Sequence, residues 1–357
     1  MNVLIVGAGP TGLTVALELV RQGITPEIVD AKDAPDWRSR AVVVLPRSIE
    51  ILNRTGVGDR LVEEGVRITK ARIHRGEKPL VDLDISELLD DSYFLLGLAQ
   101  DRTETLMSEE LERRGVSVSY GTEVTSVETA DESATVTFAD GSVKTYDWVV
   151  GADGVFSQVR ESLGISFDGY ELEEEWSIAD VELNTAAEDD RIQAWLFAGG
   201  RSTRDGLVMV PIEEKRLRLV SSTSDSVAAL PLELDIKETR RSGTFKISVR
   251  NASSYVRGRA VLAGDAAHAF SPVGGRGMNL GIEDAQALAH AILTGTIAQY
   301  EVERKAKATK ITHSTERARK LIVSNNPFVV FGIHVVSWLI RHSRFLQKRF
   351  VRNMVRL

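Results

Sequence analysis

The first apolar run, Val3-Leu4-Ile5-Val6, is continuous rather than alternating, as expected of a strand buried on both faces of a parallel sheet. A glycine turn follows. Leu13 to Gln22 then carries apolar residues at helical period and stops at Gly23, a C-terminal cap. Pro26 to Asp30 reads as a second strand, completing a β-α-β unit. Further on, the pattern predicts a short helix over Ser48 to Asn53 with Ser48 as its N-cap. It predicts strands within Ala71 to Asp84 and an amphipathic helix over Thr103 to Arg114 closed by Gly115. Val116–Tyr120, Val124–Glu128, Ala134–Phe138 and Ser142–Tyr146 predict an antiparallel meander, with Asp140-Gly141 as the hairpin turn between the last two. Trp148-Val149-Val150 is another buried strand, running into Gly151-Ala152-Asp153-Gly154.

The texture then changes. Strand-like runs at Trp176–Leu183, Ile192–Ala198, Gly206–Pro211 and Arg216–Ser221 alternate with turns and predict one antiparallel sheet, a second domain. Ala260-Val261-Leu262-Ala263-Gly264-Asp265 returns to buried-strand character. Asn279 to Leu293 is a helix, and helices continue from Gln299 with a break near Asn325-Asn326-Pro327.

Three segments carry chemistry. In Gly7-x-Gly9-x-x-Gly12 one glycine allows the tight turn, the next lets a pyrophosphate approach the backbone, and the third lets helix and strand pack closely. The helix start adds free N–H groups and a positive dipole end. Asp30, at the end of the second strand, is placed for a ribose hydroxyl. Gly151-Ala152-Asp153-Gly154, with Arg160 beyond it, reads by itself as a turn. Gly264-Asp265-Ala266-Ala267-His268, followed by Ser271-Pro272-Val273-Gly274-Gly275-Arg276-Gly277-Met278-Asn279, is either a plain turn or a second anion cradle opening a helix.

Composition narrows the chemistry. A chain of 357 residues, 43% hydrophobic and 27% charged, is long enough for two domains and rules out a disordered or fibrous protein. Zero cysteines exclude disulfides, thiolate metal sites and cysteine nucleophiles. The net charge of −7 does not favour nucleic acid. The six histidines are scattered, without metal-ligand spacing. The N-terminus has no basic region ahead of its apolar run, and no stretch reaches the roughly 18 apolar residues of a spanning helix, so a cytoplasmic location is expected.

Together the three segments, in this order and spacing, resemble the FAD-dependent aromatic hydroxylases of the para-hydroxybenzoate hydroxylase type, single-component flavoprotein monooxygenases. Arg38-Ser39-Arg40-Ala41, Gln100-Asp101-Arg102-Thr103-Glu104 and Ser177-Ile178-Ala179-Asp180-Val181-Glu182-Leu183 agree with it, and the likeness runs from about Met1 to Ala308. The resemblance implies an α/β fold: a Rossmann-like FAD-binding domain with an inserted antiparallel-sheet substrate domain and C-terminal helices. The expected division is FAD-binding parts at 1–72, 101–170 and 251–298, substrate-side strands at 73–100, the substrate sheet at 171–250 and C-terminal helices at 299–357.

It also implies roles. FAD would be held non-covalently by Gly7, Gly9, Gly12, Asp30, Arg40, Gln100, Val124, Asp153, Asp265, Gly277, Met278 and Asn279, with Pro272 at the flavin's reactive face. NADH or NADPH would reduce the flavin from a transient surface site, and O2 would form a flavin C4a-hydroperoxide that hydroxylates an electron-rich aromatic or polycyclic substrate. No side-chain nucleophile is needed, and no catalytic base is named. Alternatives are an enzyme on the same core that epoxidises, opens a ring or inactivates an antibiotic, and a non-catalytic binding protein on this scaffold. A missing W-x-W-x-I-P segment argues against a halogenase.

Some residues stay open at this stage. Trp195, Phe197, Leu207 and Met209 either line a substrate cavity or fill the core. His268 reads as a packing or hydrogen-bonding residue before a catalytic base, and His74 as a strand histidine before a substrate contact. From Arg317 to Leu357 there are nine Lys or Arg and no acid, and Pro327 to Ile340 is nearly uncharged. That tail either packs as closing helices or touches a membrane surface peripherally.

Overall fold

The structure is a computed structural model and describes the chain except residues 36–40, 77, 90–92, 188–189, 197–205, 323, 325 and 356–357. Arg40 and Phe197 therefore lie outside the described residues. The fold has a nucleotide-type layer and a large sheet facing it, joined by a small three-stranded sheet.

The opening strand Val3–Val6 is central because it is apolar on both faces. It pairs in parallel with Trp148–Gly151 on one side and Glu27–Val29 on the other. Trp148–Gly151 pairs onward with Ala260–Leu262, so strands far apart in sequence lie side by side. Val118–Ser119 departs from expectation. It leaves the meander and pairs in parallel with Glu27–Val29, closing an edge that would otherwise leave backbone groups unpaired. The other three meander strands form their own antiparallel sheet, with Gly141 at φ +82° in the turn. The helix Pro46–Arg54 starts at Pro46 with Leu45 as its cap, and Ser48 is buried inside it. The ring of Pro46 presets the first turn, so no side-chain cap is required there.

The eight-stranded sheet runs in the order His268–Ala269, Ile236–Ala252, Phe167–Leu183, Arg216–Ser221, Gly206–Glu213, Arg191–Leu196, Lys70–Arg75, Lys78–Asp84. Every neighbour is antiparallel except Arg191–Leu196 beside Lys70–Arg75. The hairpin at 70–84 thus joins the inserted sheet, while Leu95–Gly97 belongs to the small sheet with Val43–Val44 and Val66–Ile68.

The two faces of the large sheet have different neighbours. Trp195, Leu207 and Met209 share a face with Val181, Leu217 and Leu219 and pack under Val227, Leu230, Leu232 and Leu234 in a closed apolar cluster. The opposite face, with Val208, Val210 and Ile73, packs with Val42, Val43 and Leu45. On that same side Val220, Trp176 and Phe245 pack with Val273. Of the two readings left open for Trp195, Leu207 and Met209, this packing supports core filling over cavity lining. Strand alternation turns them away from the glycine loops and into core.

Candidate active site

The first glycine loop shows which glycines are steric necessities. Gly7 has φ +106°, and a Cβ there would sit 2.3 Å from the Ala152 carbonyl oxygen. A Cβ on Gly12 would sit 1.9 Å from the Gly7 carbonyl oxygen. Gly9 differs: a Cβ there meets no atom within 4 Å, so it borders open space at the start of helix Pro10–Arg21. That is the cradle a pyrophosphate needs, lined by backbone and set at a helix N-terminus. Asp30 is fixed against this loop, its carboxylate accepting from the Ala8 N–H at 2.8 Å and the Lys32 N–H at 2.9 Å.

The third loop meets the first through Thr11. A Cβ on Gly264 or Gly281 would come within 2.4 or 2.2 Å of the Thr11 hydroxyl oxygen, so helices Pro10–Arg21 and Gly277–Thr294 are in close contact there. Asp265 is exposed amid buried neighbours at the end of strand Ala260–Leu262. Gly277 begins its helix with open space around it, and the first intrahelical bond is Leu280 N–H to the Arg276 carbonyl. The amides of Gly277, Met278 and Asn279 precede that bond and form the helix's positive end. The Asn279 side chain is fully buried. It accepts from Leu45 N–H at 2.8 Å and donates to the carbonyls of Val43 and Gly275, each at 2.8 Å. It therefore clamps the small sheet to the loop, leaving its backbone N–H to the site.

Other expected residues are spent on architecture. Asp153 accepts from the Ser157 hydroxyl at 2.6 Å and the Val159 N–H at 3.0 Å, bracing the start of helix Gln158–Ser162, whose N-cap is Ser157. Burial pushes its carboxyl above the ordinary range, against those hydrogen bonds, which lower it. Its own backbone backs Gly7. Arg160 donates to the Ala266 and Val155 carbonyls and lies over the Phe167 ring, tying the second segment to the third. Gln100 opens helix Gln100–Arg113, accepts from the Ala41 N–H at 3.2 Å and donates to Glu104. Val124 is buried at the start of the three-stranded meander sheet.

Behind the third loop stands a group that motif spacing did not reveal. His268 Nε2 lies 2.5 Å from Asp284 Oδ2, Arg304 donates to Asp284 Oδ1 at 2.6 Å, and the Gly264 N–H donates to Oδ2 at 3.2 Å. All three side chains are buried. Burial alone would raise the Asp284 carboxyl, but His268 and Arg304 outweigh it and hold it below the ordinary range. His268 thus supports the loop, a hydrogen-bonding role. His74 stacks on Trp195 with ring centroids 4.6 Å apart, and its Nε2 lies 2.8 Å from Gln193.

A second unforeseen pair crosses the layers. Arg218 and Asp180 form a bidentate bridge at 2.6 and 2.7 Å within the large sheet, and Arg218 also donates to the Ala41 carbonyl at 2.8 Å. Its side chain is wholly buried. An open cleft of about 540 Å³ exists elsewhere, among Asp82, Glu87, Arg191, Arg341 and Arg344. Its mixed charges suit neither a flavin nor a flat apolar ring. Among the described residues no His/Asp/Glu group could hold a metal.

Residues 1–315 match the FAD binding domain family. The chain is 30% identical, over 98% of its length and 67% of the relative's, to 6-methylpretetramide 4-monooxygenase of Streptomyces rimosus. It is 28% identical, over 90% of its length and 65% of the relative's, to pentachlorophenol 4-monooxygenase of Sphingobium chlorophenolicum. The chain thus spans about two-thirds of the length of these two relatives. The p-nitrophenol 4-monooxygenase structure from Pseudomonas putida shares the fold, with a TM-score of 0.86 at 22% identity over 99% of this chain and 97% of that one. The chain belongs to the FAD binding domain family, and by class it is an FAD-dependent monooxygenase. The residues fit FAD: Gly9 and Gly277 leave open, backbone-lined cradles at two helix starts that Thr11 holds together. Among the described residues no helix is long and apolar enough to cross a membrane.

Proposed function

We propose that the chain oxygenates an electron-rich aromatic or polycyclic small molecule, using NADH or NADPH and O2. The observation that carries this is the apolar sheet face on which Val220 packs with Val273 of the third loop, while Val208 and Val210 on the same face pack with Val42 and Val43. When bound, FAD supplies the redox chemistry, taking electrons from the nicotinamide and activating dioxygen. The chain's own residues bind, orient and shield.

Gly7 to Gly12 and Asp30 take the adenosine diphosphate half, a preference for FAD over FMN. Asp265 accepts from ribityl hydroxyls. The amides of Gly277, Met278 and Asn279 would offer the helix's positive end to negative charge on the bound flavin. Val273, packed with Val220, Trp176 and Phe245, helps keep that end dry. On this face Asp180 and Arg218 bind each other, so the chain contributes position and dryness there rather than a base. Arg40 keeps the role that the family resemblance gives it, near the pyrophosphate.

The test is consumption of NADH and NADPH by the purified yellow protein across phenols and polycyclic phenols, with product and hydrogen peroxide both measured. Accelerated consumption with an oxygenated product supports the reading. Bound FAD with no stimulation by any such ring overturns the substrate class, and a colourless protein that takes up no FAD overturns the whole assignment.

A further inference from the structure

The helix Pro327–His342 turns its most apolar residues outward. Its inner side rests on strand Lys78–Asp84, where Ile340 joins a cluster with Leu83, Leu88 and Val351. On the outer side Phe328, Phe331, Val335, Trp338 and Leu339 recur at three- and four-residue spacing and are 84%, 67%, 40%, 59% and 41% exposed. Phe345, 72% exposed, continues the patch at the start of helix Arg344–Val355. A contiguous exposed stripe of large apolar side chains marks an interaction surface.

Charge selects the occupant. The chain's net −7 divides into −16 before Arg317 and +9 from Arg317 onward. Lys348, Arg349 and Arg352, all exposed, follow on the stripe, with Arg344 beside them in an exposed pair with Glu87. A second copy seated symmetrically on this face would bring two such tails within a Debye length of about 8 Å, where like charges repel. Anionic lipid headgroups meet the same cations favourably. The helix has 16 residues, too few to span a bilayer, so it fits along the surface.

We propose that Pro327–Val355 docks the protein on an anionic lipid surface, with the aromatic stripe in the headgroup–acyl boundary and the Arg and Lys side chains at the phosphates. The seat is tied to the catalytic side, because Arg276, ahead of the Gly277 helix, donates to the Asn353 carbonyl at 2.9 Å.

The test is flotation of the flavin-loaded full chain with phosphatidylcholine vesicles, plain or doped with phosphatidylglycerol. Binding to the anionic vesicles is expected, weakening as salt rises. Replacing two exposed side chains, Phe331→Ser with Trp338→Ser, should lower that binding about tenfold or more. Reversing charge, Lys348→Glu with Arg349→Glu, should also lower it, with FAD content and lipid-free NAD(P)H oxidation unchanged in both. No affinity for anionic vesicles overturns the proposal, as does undiminished binding by the aromatic double variant. Dimerisation of the native chain that the same variant abolishes also overturns it, since a second copy then owns the face.

Discussion

At the scale of single residues, the glycines of the first loop separate two demands that one motif conflates. Gly12→Ala sets a Cβ 1.9 Å from a carbonyl oxygen that cannot move aside, so both folding and flavin content should collapse. Gly9→Ala meets open space at an extended φ of −77°, so the protein should melt within about 1 kcal/mol of the parent and yet bind FAD more weakly. Thermal melts beside flavin absorbance separate the two outcomes, and equal flavin loss with equal melting shifts would refute this division of labour. Asp265→Ala should weaken FAD binding by about tenfold to a hundredfold, the worth of a charge-assisted hydrogen bond of about 1.5–3 kcal/mol. Equilibrium titration of the apoprotein with FAD reads this directly, and an unchanged affinity removes Asp265 from the site. Gly7, Gly12 and Asp30 were legible in the sequence because backbone sterics and strand ends restrict which residue types can stand there. Asp284 and Arg304 were not. Their pairing joins two helices through space, and each alone looks like an ordinary charge on a helix.

Among the elements, helix Gly277–Thr294 carries the proposed cofactor cradle at one end and the Asp284 support within it. Asp284→Asn leaves the buried Arg304 with only the longer Glu283 contact, at 3.6 Å. It should therefore cost about 3–5 kcal/mol in urea unfolding and loosen Gly264. A cost near zero would mean the group is ornamental to the loop. The strands give a pH prediction. Burial pushes the His74 imidazole below its ordinary value of 6.5, the Gln193 bond opposing it. The neutral ring is thus the native form. Its contribution is full above 6.5 and drains as pH falls, because the unfolded chain takes up the proton more readily. Urea midpoints from neutral to mildly acidic pH should fall more steeply for the native protein than for His74→Gln, and parallel slopes would refute this. Elements with uniform or alternating apolar residues were easy to foresee. Ile236–Ala252 was missed because Lys237, Glu238, Arg240, Arg241 and Lys246 obscure its alternation. Its companion strand explains part of that charge, since Glu182 pairs with Lys237 and Arg240. Which face of the sheet met the cofactor loops was equally hidden. Both faces are apolar, and only the covering segment around Val227 to Leu234 distinguishes them.

Across the whole molecule, Arg218 is the polar pin between layers, bridging Asp180 in the sheet to the Ala41 carbonyl beside the small sheet. Arg218→Met strands a buried carboxylate and should cost about 3–5 kcal/mol, whereas the double change Arg218→Met with Asp180→Leu should recover most of that. Urea unfolding of the three proteins checks it, and a double variant as unstable as the single one would show that the Ala41 contact dominates. The order of strands in the parallel sheet has a consequence for how the protein comes into being. Val3–Val6 leaves the ribosome well before its neighbour Trp148–Gly151, and that strand's neighbour Ala260–Leu262 arrives later still. The two proposed halves of the flavin cradle, at Gly7 and at Gly277, are thus separated in synthesis by both later strands. A nascent chain must therefore hold its first strand in waiting, exposed to chaperones and to mispairing, until the third loop emerges. On that reading, capture of the flavin waits until the third loop has been made, and a chain that meets no flavin then keeps the joint between those halves unfilled.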